Sequence, residues 1–427
     1  MSGKIQAIRG MHDVLPEQSV AWRRLENTII NIIRQYSYQE IRLPILEKTE
    51  LFQRSIGELT DIVAKEMYSF LDRNQESLTL RPEGTAGCVR AGMEHGLFHN
   101  QQQKLWYIGA MFRHERPQKG RQRQFHQVGL EAFGMPGPDV DAEMILICTR
   151  ILRALRLDVQ LELNTLGTVE SRLAYRELLV TYFNDNRKAL DEDSLRRLET
   201  NPLRILDSKN PDMKQLIYAA PALPEHIDNE SVDHFEALKS LLEQTGVHYR
   251  LNPQLVRGLD YYTRTVFEWT TDQLGAQGTV CAGGRFDGLV EHFGGKPTPA
   301  IGCAMGLERL LELVNLQDGL PTEPPHACLV MAEGSAANRG LKLAEELRDQ
   351  LPGLRLLTIC GGGSFKSQFK KADKSGALLA LVLGEEEYEN QAIGIKSLRD
   401  NEIQLNLQQE ELPGWLKNRL AAELNLC

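Results

Sequence analysis

A proline-rich segment near residue 320 separates two parts of the chain that differ in their sequence patterns. Residues 318–325 read Asp-Gly-Leu-Pro-Thr-Glu-Pro-Pro. Adjacent prolines are excluded from helix interiors and stiffen a connection. After this segment, strand-like apolar runs alternate with helix-like amphipathic runs, an order that indicates an α/β domain of about 100 residues. We therefore predict a boundary between residues 1–320 and residues 321–427.

The part before the boundary combines strands and helices in a different arrangement. Two apolar runs, residues 104–112 and 124–133, predict antiparallel strands joined by a loop. Residues 169–246 are rich in Leu, Arg, Glu and Asp and show no strand pattern, which predicts a helical insertion. The predicted fold class is thus mixed α/β, with an α+β first domain. The other predictions here are a helix at 17–36, strand-like residues 39–46 containing Pro44, a strand at 78–80 with a helix to about 93, a helix at 139–155, glycine-punctuated strands within 249–320 and a helix at 306–314.

The part after the boundary is predicted to alternate strictly between the two kinds of element. Apolar runs of about five residues are typical of buried strands, and the amphipathic runs between them are typical of helices. The predicted strands are 327–331, 355–359 and 378–383, and the predicted helices are 339–351 and 365–373.

Composition and charge exclude several classes of protein. The chain has 427 residues, and its formal net charge of −9 is inconsistent with nucleic-acid binding through bulk positive charge. Its seven cysteines are odd in number, and no two have Cys-x-x-Cys spacing. This argues against a disulfide framework and against a structural zinc site, and we predict no metal-ligating residues. Neither a signal peptide nor an apolar run of about 18 residues is found, so we predict a cytoplasmic protein without a membrane partner.

A basic loop lies between the two predicted antiparallel strands. Residues 113–123 contain five Lys or Arg side chains and one acid, Glu115. A solvated loop would explain most runs of this kind. However, Arg113 follows directly on a strand, Phe125 offers an aromatic face on the returning strand, and Glu115 can accept a hydrogen bond from an exocyclic amine. Arginine for phosphate, an aromatic ring for stacking and a carboxylate for an amino group together favour an adenine nucleotide.

Two segments in this order resemble sequence motifs of the class II aminoacyl-tRNA synthetases. Phe112-Arg113-His114-Glu115, with the basic residues after it, is similar to motif 2. Residues 302–310, which include Arg309, are similar to motif 3. The predicted first helix and the strand reaching Pro44 resemble motif 1, the element through which these enzymes dimerise. The resemblance implies an antiparallel catalytic sheet, ATP as a substrate and a homodimer.

Further segments resemble the histidine-specific signatures of the histidyl-tRNA synthetases. Residues 255–268 are similar to the first signature and residues 282–289 to the second, and residues 9–13 and 81–85 also fit the family. The resemblance extends from residue 5 to about residue 424 and is least specific in the helical insertion. It implies that L-histidine is activated with ATP and transferred to the 3′ end of tRNA(His). It also implies that residues 321–427 are an anticodon-binding domain.

The resemblance assigns roles to individual residues of this sequence. An imidazole has one donor and one acceptor nitrogen when neutral, and Glu131 and Tyr262 match the positions that bind them. Arg113 and Arg257 match the residues that hold the carboxylate and take part in catalysis. The histidine site implied in this way comprises Glu83, Gly84, Thr85, Arg113, Gln127, Glu131, Arg257, Tyr261 and Tyr262. The implied ATP site comprises Arg113, Glu115, Arg121, Phe125 and Arg309, with Mg²⁺ bound mainly through the ATP phosphates. The implied contacts to the tRNA acceptor end are Arg116, Gln118 and Arg123.

Two other functions are compatible with such a pocket. One is the histidine-sensing regulatory subunit of ATP phosphoribosyltransferase, a paralogue that lacks the anticodon domain and has degraded motifs. The other is a sensor that binds uncharged tRNA without ligating it. The intact Arg113, Arg257 and Arg309 favour the ligase over both alternatives.

Overall fold

The computed structural model describes residues 4–57, 60, 62–118, 120–206, 208, 210–257, 259, 261–317, 322–400 and 404–424. Parts of three predicted features lie outside these residues. They are residues 318–321 of the proline-rich segment, Lys119 of the basic loop, and Gly258 and Asp260 of the first histidine-specific signature. The chain divides into two compact units, Met1–Leu320 and Pro321–Cys427.

The first unit is built on a large sheet with helices before, between and after its strands. In chain order its elements are α1 Pro16–Gln35, β1 Gln39–Glu40, β2 Leu46–Lys48, α2 Thr49–Ile56, β3 Tyr68–Leu71, β4 Ser77–Leu80, α3 Thr85–Glu94, β5 Gln103–Phe112, β6 Gln124–Phe133, α4 Pro138–Ala154, β7 Gln160–Thr165, α5 Val169–Asp185, α6 Glu192–Thr200, α7 Lys214–Tyr218, α8 Asn229–Gln244, β8 Arg250–Leu251, β9 Thr263–Thr270, β10 Thr279–Arg285, α9 Leu289–His292, β11 Ala300–Gly306 and α10 Leu307–Gln317.

The large sheet has eight strands in the order β1-β5-β6-β11-β10-β9-β7-β8. Its inner pairs are antiparallel, and only the two edge pairs, β1 with β5 and β7 with β8, are parallel. This confirms the predicted antiparallel sheet. The hairpin of β5 and β6 is in register from Gln103 opposite Phe133 to Phe112 opposite Gln124. The basic loop therefore joins two ten-residue strands.

Alternation along the strands decides which residues face the core and which face the site. Val128 and Leu130 of β6 belong to the core that includes α1, α4 and α10. Because side chains alternate between the faces of a strand, Gln127 and Glu131 point to the opposite face. On α1 the buried positions, among them Leu25 and Ile29, recur at helical spacing. Each such buried aliphatic side chain contributes about 1.5–3 kcal/mol.

One predicted strand is wrong in its extent. Residues 39–46 do not form a continuous strand, because β1 ends at Glu40 and β2 begins at Leu46 in a separate three-stranded sheet. Pro44 lies between them and has no N–H to donate to a ladder. Strand β7, which lies next to the edge strand β8 of the large sheet, was not predicted.

The helical insertion has an apolar core of its own. Residues 169–246 form helices and short 3₁₀ turns, with no strand among the described positions. Tyr175, Leu179 and Phe183 of α5 are fully buried and cluster with Tyr262 and Val266 from the start of β9. The insertion thereby supports the segment that carries the first histidine-specific signature.

The second unit contains a five-stranded mixed sheet in the order β13-β12-β14-β15-β16. Strand β12 pairs in parallel with β13 and β14, as the predicted alternation requires, and β15 and β16 add an antiparallel edge that was not predicted. Its elements are β12 Ala327–Met331, α11 Ser335–Gln350, β13 Leu356–Thr358, α12 Phe365–Lys374, β14 Leu379–Leu383, α13 Glu385–Glu389, β15 Ala392–Ser397, β16 Gln404–Gln408, α14 Leu412–Arg419 and α15 Ala421–Leu424. In the described part of the chain, no helix has the length and apolarity needed to span a bilayer.

Candidate active site

A cavity of about 250 Å³ opens on the face of the large sheet that carries Gln127 and Glu131. Strands β6, β10 and β11, the basic loop and the segment before β9 supply its walls. Of the predicted histidine and ATP residues, all but Glu131 line this cavity: Glu83, Gly84, Thr85, Arg113, Glu115, Arg121, Phe125, Gln127, Arg257, Tyr261, Tyr262 and Arg309. Glu131 lies directly behind Thr85 and Tyr107. The predicted tRNA contacts Arg116, Gln118 and Arg123 are outside it.

One end of the cavity, the carboxylate end, consists of Glu83, Thr85, Tyr107 and Glu131. The side chain of Glu131 is 1% exposed. Its Oε1 accepts hydrogen bonds from the Thr85 hydroxyl at 2.7 Å and the Tyr107 hydroxyl at 3.0 Å. Its Oε2 is buried and has no hydrogen-bond partner among the described residues. Burial raises the pKa of Glu131 well above its ordinary value, which favours the protonated carboxyl when no ligand is bound. The unpartnered Oε2 becomes a free acceptor once a basic ligand takes up that proton.

Glu83 is the second buried acid of the carboxylate end. Its carboxylate accepts hydrogen bonds from the backbone N–H groups of Thr85 and Ala86 at the beginning of α3. A carboxylate at a helix N-terminus is stabilised by the unsatisfied N–H groups there. Burial nevertheless outweighs these bonds and raises the pKa of Glu83. The two carboxyl groups together form a site for a donor-rich or cationic ligand.

Glycines permit this arrangement at two places. A Cβ at Gly302 would lie 1.8 Å from Oε2 of Glu131, and Gly302 is directly opposite Glu131 in the sheet. A Cβ at Gly84 or at Gly129 would lie 2.2 Å from the Tyr107 ring. The carboxylate and the phenol that holds it therefore fit only because their neighbours lack side chains.

Arg257 lies beside the two tyrosines that precede β9. It donates from Nη1 to Glu268 at 2.8 Å, and its guanidinium carbon is 5.6 Å from the centre of the Tyr262 ring. Its Nε is buried without a partner in the described part of the structure. Burial acts to lower the pKa of Arg257, but Tyr262 and Glu268 together raise it. The arginine is therefore held as a cation, with donor capacity left for a ligand.

The other end of the cavity, the arginine end, consists of Arg113, Glu115, Arg121 and Arg309. Arg113 donates to the Pro82 carbonyl at 2.9 Å, and its guanidinium carbon lies 5.2 Å from the centre of the Phe125 ring. Arg121 donates to Glu115 at 2.9 Å.

Arg309, on α10, completes the arginine end from the opposite side. It donates to the carbonyls of Gly120 and Thr279. Burial lowers the pKa of Arg309, and the charges of Arg121 and Arg113 act in the same direction. An anionic ligand in the cavity would offset the repulsion that Arg121 and Arg113 exert on Arg309.

The basic loop divides into a packed part and an exposed part. Arg123 donates from its backbone N–H to Gly10 at 2.8 Å and from Nε to the Glu115 carbonyl at 3.2 Å. It therefore helps to fix the loop against the N-terminal segment. Arg116 and Gln118 at the tip are exposed.

Sequence reasoning missed several residues that build the cavity. Tyr107 orients Glu131, Glu268 pairs with Arg257, and Glu308 accepts from the His126 backbone N–H at 2.9 Å. A signal existed for Tyr107. It lies directly opposite Gly129 in the hairpin, and glycine inside a strand marks a place where another group approaches closely.

Behind the cavity the structure brings three cysteines together. Cys281 and Cys303 line the cavity floor, and Cys148 lies next to them. Burial acts to raise the pKa of Cys281, but hydrogen bonds with Cys148 and Cys303 and the charge of Arg257 lower it to about 6. Sequence spacing argued against a metal site, but it could not detect a cluster formed from three distant elements.

Comparisons with known proteins cover nearly the whole chain. The family model described as Histidyl-tRNA synthetase matches residues 10–310, and the model described as Anticodon binding domain matches residues 327–419. The chain is 59% identical over 426 residues to the histidine–tRNA ligase of Halorhodospira halophila (strain DSM 244 / SL1), an alignment that covers 99% of this chain and 100% of the relative. It is 60% identical over 422 residues to the histidine–tRNA ligase of Alkalilimnicola ehrlichii (strain ATCC BAA-1101 / DSM 17681 / MLHE-1), covering 98% and 97% respectively. The crystal structure of apo S. aureus histidyl-tRNA synthetase superposes with a TM-score of 0.80 at 35% identity, covering 97% of this chain and 100% of that one.

Proposed function

Because this chain belongs to the histidyl-tRNA synthetase family, we propose that it is a histidine–tRNA ligase whose cavity binds histidine at the carboxylate end and ATP at the arginine end. The reaction joins L-histidine and ATP to histidyl-adenylate and pyrophosphate, and then transfers histidine to the 3′ end of tRNA(His). Relatives of the same length at 59–60% identity are ligases by name. This favours the ligase over the regulatory subunit.

The proposal rests on the different charged groups at the two ends of one cavity. Two buried carboxyl groups lie at one end, and three arginines that repel each other lie at the other. An amino acid with a second basic group fits the first end, and a polyphosphate fits the second. The substrate carboxylate and the α-phosphate would then meet between them, near Arg113 and Arg257.

Histidine recognition uses the free acceptor of Glu131 for one imidazole nitrogen. The hydroxyl of Tyr262 serves the other nitrogen, with Tyr261 beside it and Gly84 giving the ring room. Glu83, Thr85 and Gln127 receive the substrate ammonium group. A site that makes hydrogen bonds to its substrate rejects analogues without those groups by factors of about 10⁴–10⁵.

Adenylate formation needs positioning and charge stabilisation more than proton transfer. A carboxylate is ionised at pH 7, so it attacks without a general base. One substrate carboxylate oxygen forms a bond to the α-phosphorus while the bond to the pyrophosphate oxygen breaks. Arg113 and Arg257 hold the charge on the α-phosphoryl oxygens during this step. Arg309 binds the far end of the triphosphate, and Phe125 and Glu115 bind the adenine.

Mg²⁺ is expected to be held mainly by the ATP phosphates, whose charge it neutralises. Two carboxylates beside the cavity are already paired with arginines, which supports this view. Glu115 is paired with Arg121, and Glu268 with Arg257.

The contacts to tRNA belong to other parts of the chain. Arg116 and Gln118 are exposed at the loop tip and, with Arg123 at its base, are proposed to contact the acceptor end. Residues 321–427 are proposed to bind the anticodon, and the four exposed lysines of α12 suit such a role. A homodimer and a cytoplasmic location stay predictions from the resemblance and the sequence.

Histidine-dependent ATP–pyrophosphate exchange tests the proposal. We expect exchange with the unaltered chain and none with Arg257→Ala, although histidine still binds measurably to that variant. Arg187→Ala, at a half-exposed arginine of the insertion, is the matched control and should retain exchange. Near-normal exchange in Arg257→Ala would reject the role of this residue. No histidine-dependent exchange in the unaltered chain would reject the ligase itself.

A further inference from the structure

Three buried thiols meet behind the cavity from three separate elements. Cys148 lies on α4, Cys281 on β10 and Cys303 on β11. Their side chains are at most 4% exposed. The sulfur of Cys148 is 3.4 Å from that of Cys303 and 3.7 Å from that of Cys281, and all three sulfurs lie within 4.8 Å of one another.

The spacing of these sulfur atoms matches the dimensions of a thiolate metal site. A metal–sulfur bond of about 2.3 Å in tetrahedral geometry separates two ligand sulfurs by about 3.8 Å. The point equidistant from the three sulfurs lies roughly 2.1–2.4 Å from each, which is again the length of such a bond. The thiols would therefore need to move by only a few tenths of an ångström to hold an ion.

A fourth sulfur extends the cluster. The thioether of Met144, one turn before Cys148 on α4, is 3.5 Å from the sulfur of Cys303, and its side chain is fully buried. A ligand set of thiols and a thioether is soft, and soft ligands select Cu(I) and, next to it, Zn(II) over hard cations such as Mg²⁺. We propose that Cys148, Cys281 and Cys303, with Met144 beside them, form a binding site for a soft closed-shell cation, with Cu(I) as the preferred ion.

The net charge of the occupied site is partly compensated by a neighbouring side chain. Each thiol that becomes a ligand releases its proton to solvent, because the thiolate is the ligating form. Cu(I) on two thiolates, with the third sulfur still protonated, carries one net negative charge. The guanidinium of Arg257 is near enough to act electrostatically on Cys281, so it compensates part of that charge.

Cys281 and Cys303 line the cavity floor, but their side chains pack in the core on the other face of the sheet, because Cys303 is opposite Leu130 and Cys281 is opposite Met305. Access of an ion to the cluster therefore requires local opening of this core. The inference concerns metal binding alone and does not depend on ligase activity.

Titration of the full-length chain with Cu(I) tests this site. Cys360→Ser and Cys427→Ser are first introduced so that these two thiols do not bind Cu(I). Cys360 is exposed, and Cys427 lies outside the described residues. Cu(I) is supplied without oxygen from a coloured competing chelator. We expect one equivalent to be bound per chain, and we expect Cys148→Ala to weaken binding by about 100-fold or more, since losing even an outer-sphere partner costs 10–100-fold. Cys88→Ala, which removes a buried thiol from another part of the core, is the matched control and should leave binding unchanged.

Two further measurements remain informative if Cys148→Ala does not fold. Met144→Leu preserves core volume and should weaken Cu(I) binding without reducing its stoichiometry. In the unaltered chain, at a denaturant concentration where the buried thiols of the metal-free form react, bound Cu(I) should protect Cys281 and Cys303 from alkylation, as read by peptide mapping, while Cys88 serves as the reference. Equal binding by the Cys148→Ala and Cys88→Ala chains, no binding by the unaltered chain, or no protection of Cys281 and Cys303 would overturn the site.

Discussion

The two ends of the cavity hold their charged groups in different ways. At the carboxylate end, Glu83 and Glu131 are almost fully buried and receive hydrogen bonds from the beginning of α3 and from β5. At the arginine end, the side chain of Arg121 is 34% exposed and lies in the loop, paired with Glu115. The first end is preorganised by rigid elements, whereas the second must exchange internal partners for a ligand. The comparison indicates that selectivity resides in the sheet and that the loop adapts to the phosphates.

The largest effect is expected from Glu131→Gln. The amide keeps the shape of the side chain but offers a donor where the proposed imidazole needs an acceptor. We expect kcat/KM for histidine in pyrophosphate exchange to fall by about 10³-fold or more, in line with sites that recognise their substrate by hydrogen bonds. The KM for ATP should change little. A loss of less than tenfold would show that the carboxylate end is not the selective one.

Gly302→Ala tests whether the position of the Glu131 carboxylate matters as well as its chemistry. The added Cβ would clash with Oε2 of Glu131 at 1.8 Å, so the carboxylate must move. Moving a substrate-positioning group by about 1 Å lowers the reaction rate by about 10²-fold. We therefore expect kcat/KM for histidine to fall by about that factor. Gly414→Ala, in the second unit, is the control, because a Cβ there meets nothing within 4 Å. If both variants retain full activity, the carboxylate end is not preorganised in the way proposed.

Arg121→Ala should have a smaller effect than the two preceding variants, and the effect should be on the use of ATP. Removing a half-exposed arginine from a phosphate site should raise the KM for ATP about tenfold, since a charge-assisted hydrogen bond contributes about 1.5–3 kcal/mol. The histidine KM should stay within about twofold. Because exposed charges are screened by salt, the difference from the unaltered chain should shrink at high ionic strength. An effect that salt does not alter would argue that Arg121 acts through the fold.

The smallest effect is expected in stability, and its direction depends on pH. Burial raises the pKa of Glu131 and Glu83 above the ordinary value of 4.5. Above pH 4.5, the folded chain therefore keeps protons that the unfolded chain has lost. Unfolding releases these protons, so the free energy of unfolding falls as pH rises from 4.5 toward the raised values.

Glu131→Gln removes one of these groups and should therefore stabilise the chain at neutral pH. Thermal unfolding is expected to give a higher Tm for this variant at pH 7 and no difference near pH 4.5. A Tm gain that is equal at both pH values would show that burial of the carboxyl is not its cause. Greater stability together with lost activity would mark Glu131 as a group retained for function.

Local pattern was sufficient to predict most elements of the fold. The strand at residues 124–133 was predicted with its exact bounds, and α4 was predicted to within one residue at each end. Both have long apolar runs of a single period, which make a strand or a helix recognisable without tertiary information. The prediction for residues 39–46 failed because a β-like segment of that length does not show which sheet each half joins. Strand β7 was missed because it is short and its partners, β8 and β9, lie far along the chain.

Most of the candidate site was also predictable, but for a different reason. Arg113, Glu115 and Phe125 were named from the chemistry of the basic loop and Arg309 through motif resemblance, and the structure brings their side chains to one cavity. Tyr107, which lies outside the motifs, and Glu268, the last residue of the first histidine-specific signature, were not named as site residues. Their importance comes from contacts with motif residues across neighbouring strands, and such contacts depend on register.

The sequence by itself determined the two-part organisation, the antiparallel hairpin with its basic loop, and the membership in a family of histidine-activating enzymes. These follow from patterns that are local or that occur in a fixed order along the chain. Only the tertiary structure decided that Glu131 keeps a free buried acceptor, that glycines make room for it, and that Cys148, Cys281 and Cys303 meet behind the cavity. Burial and sulfur–sulfur distances are set by how α4, β10 and β11 pack together, and no spacing along the chain encodes them directly.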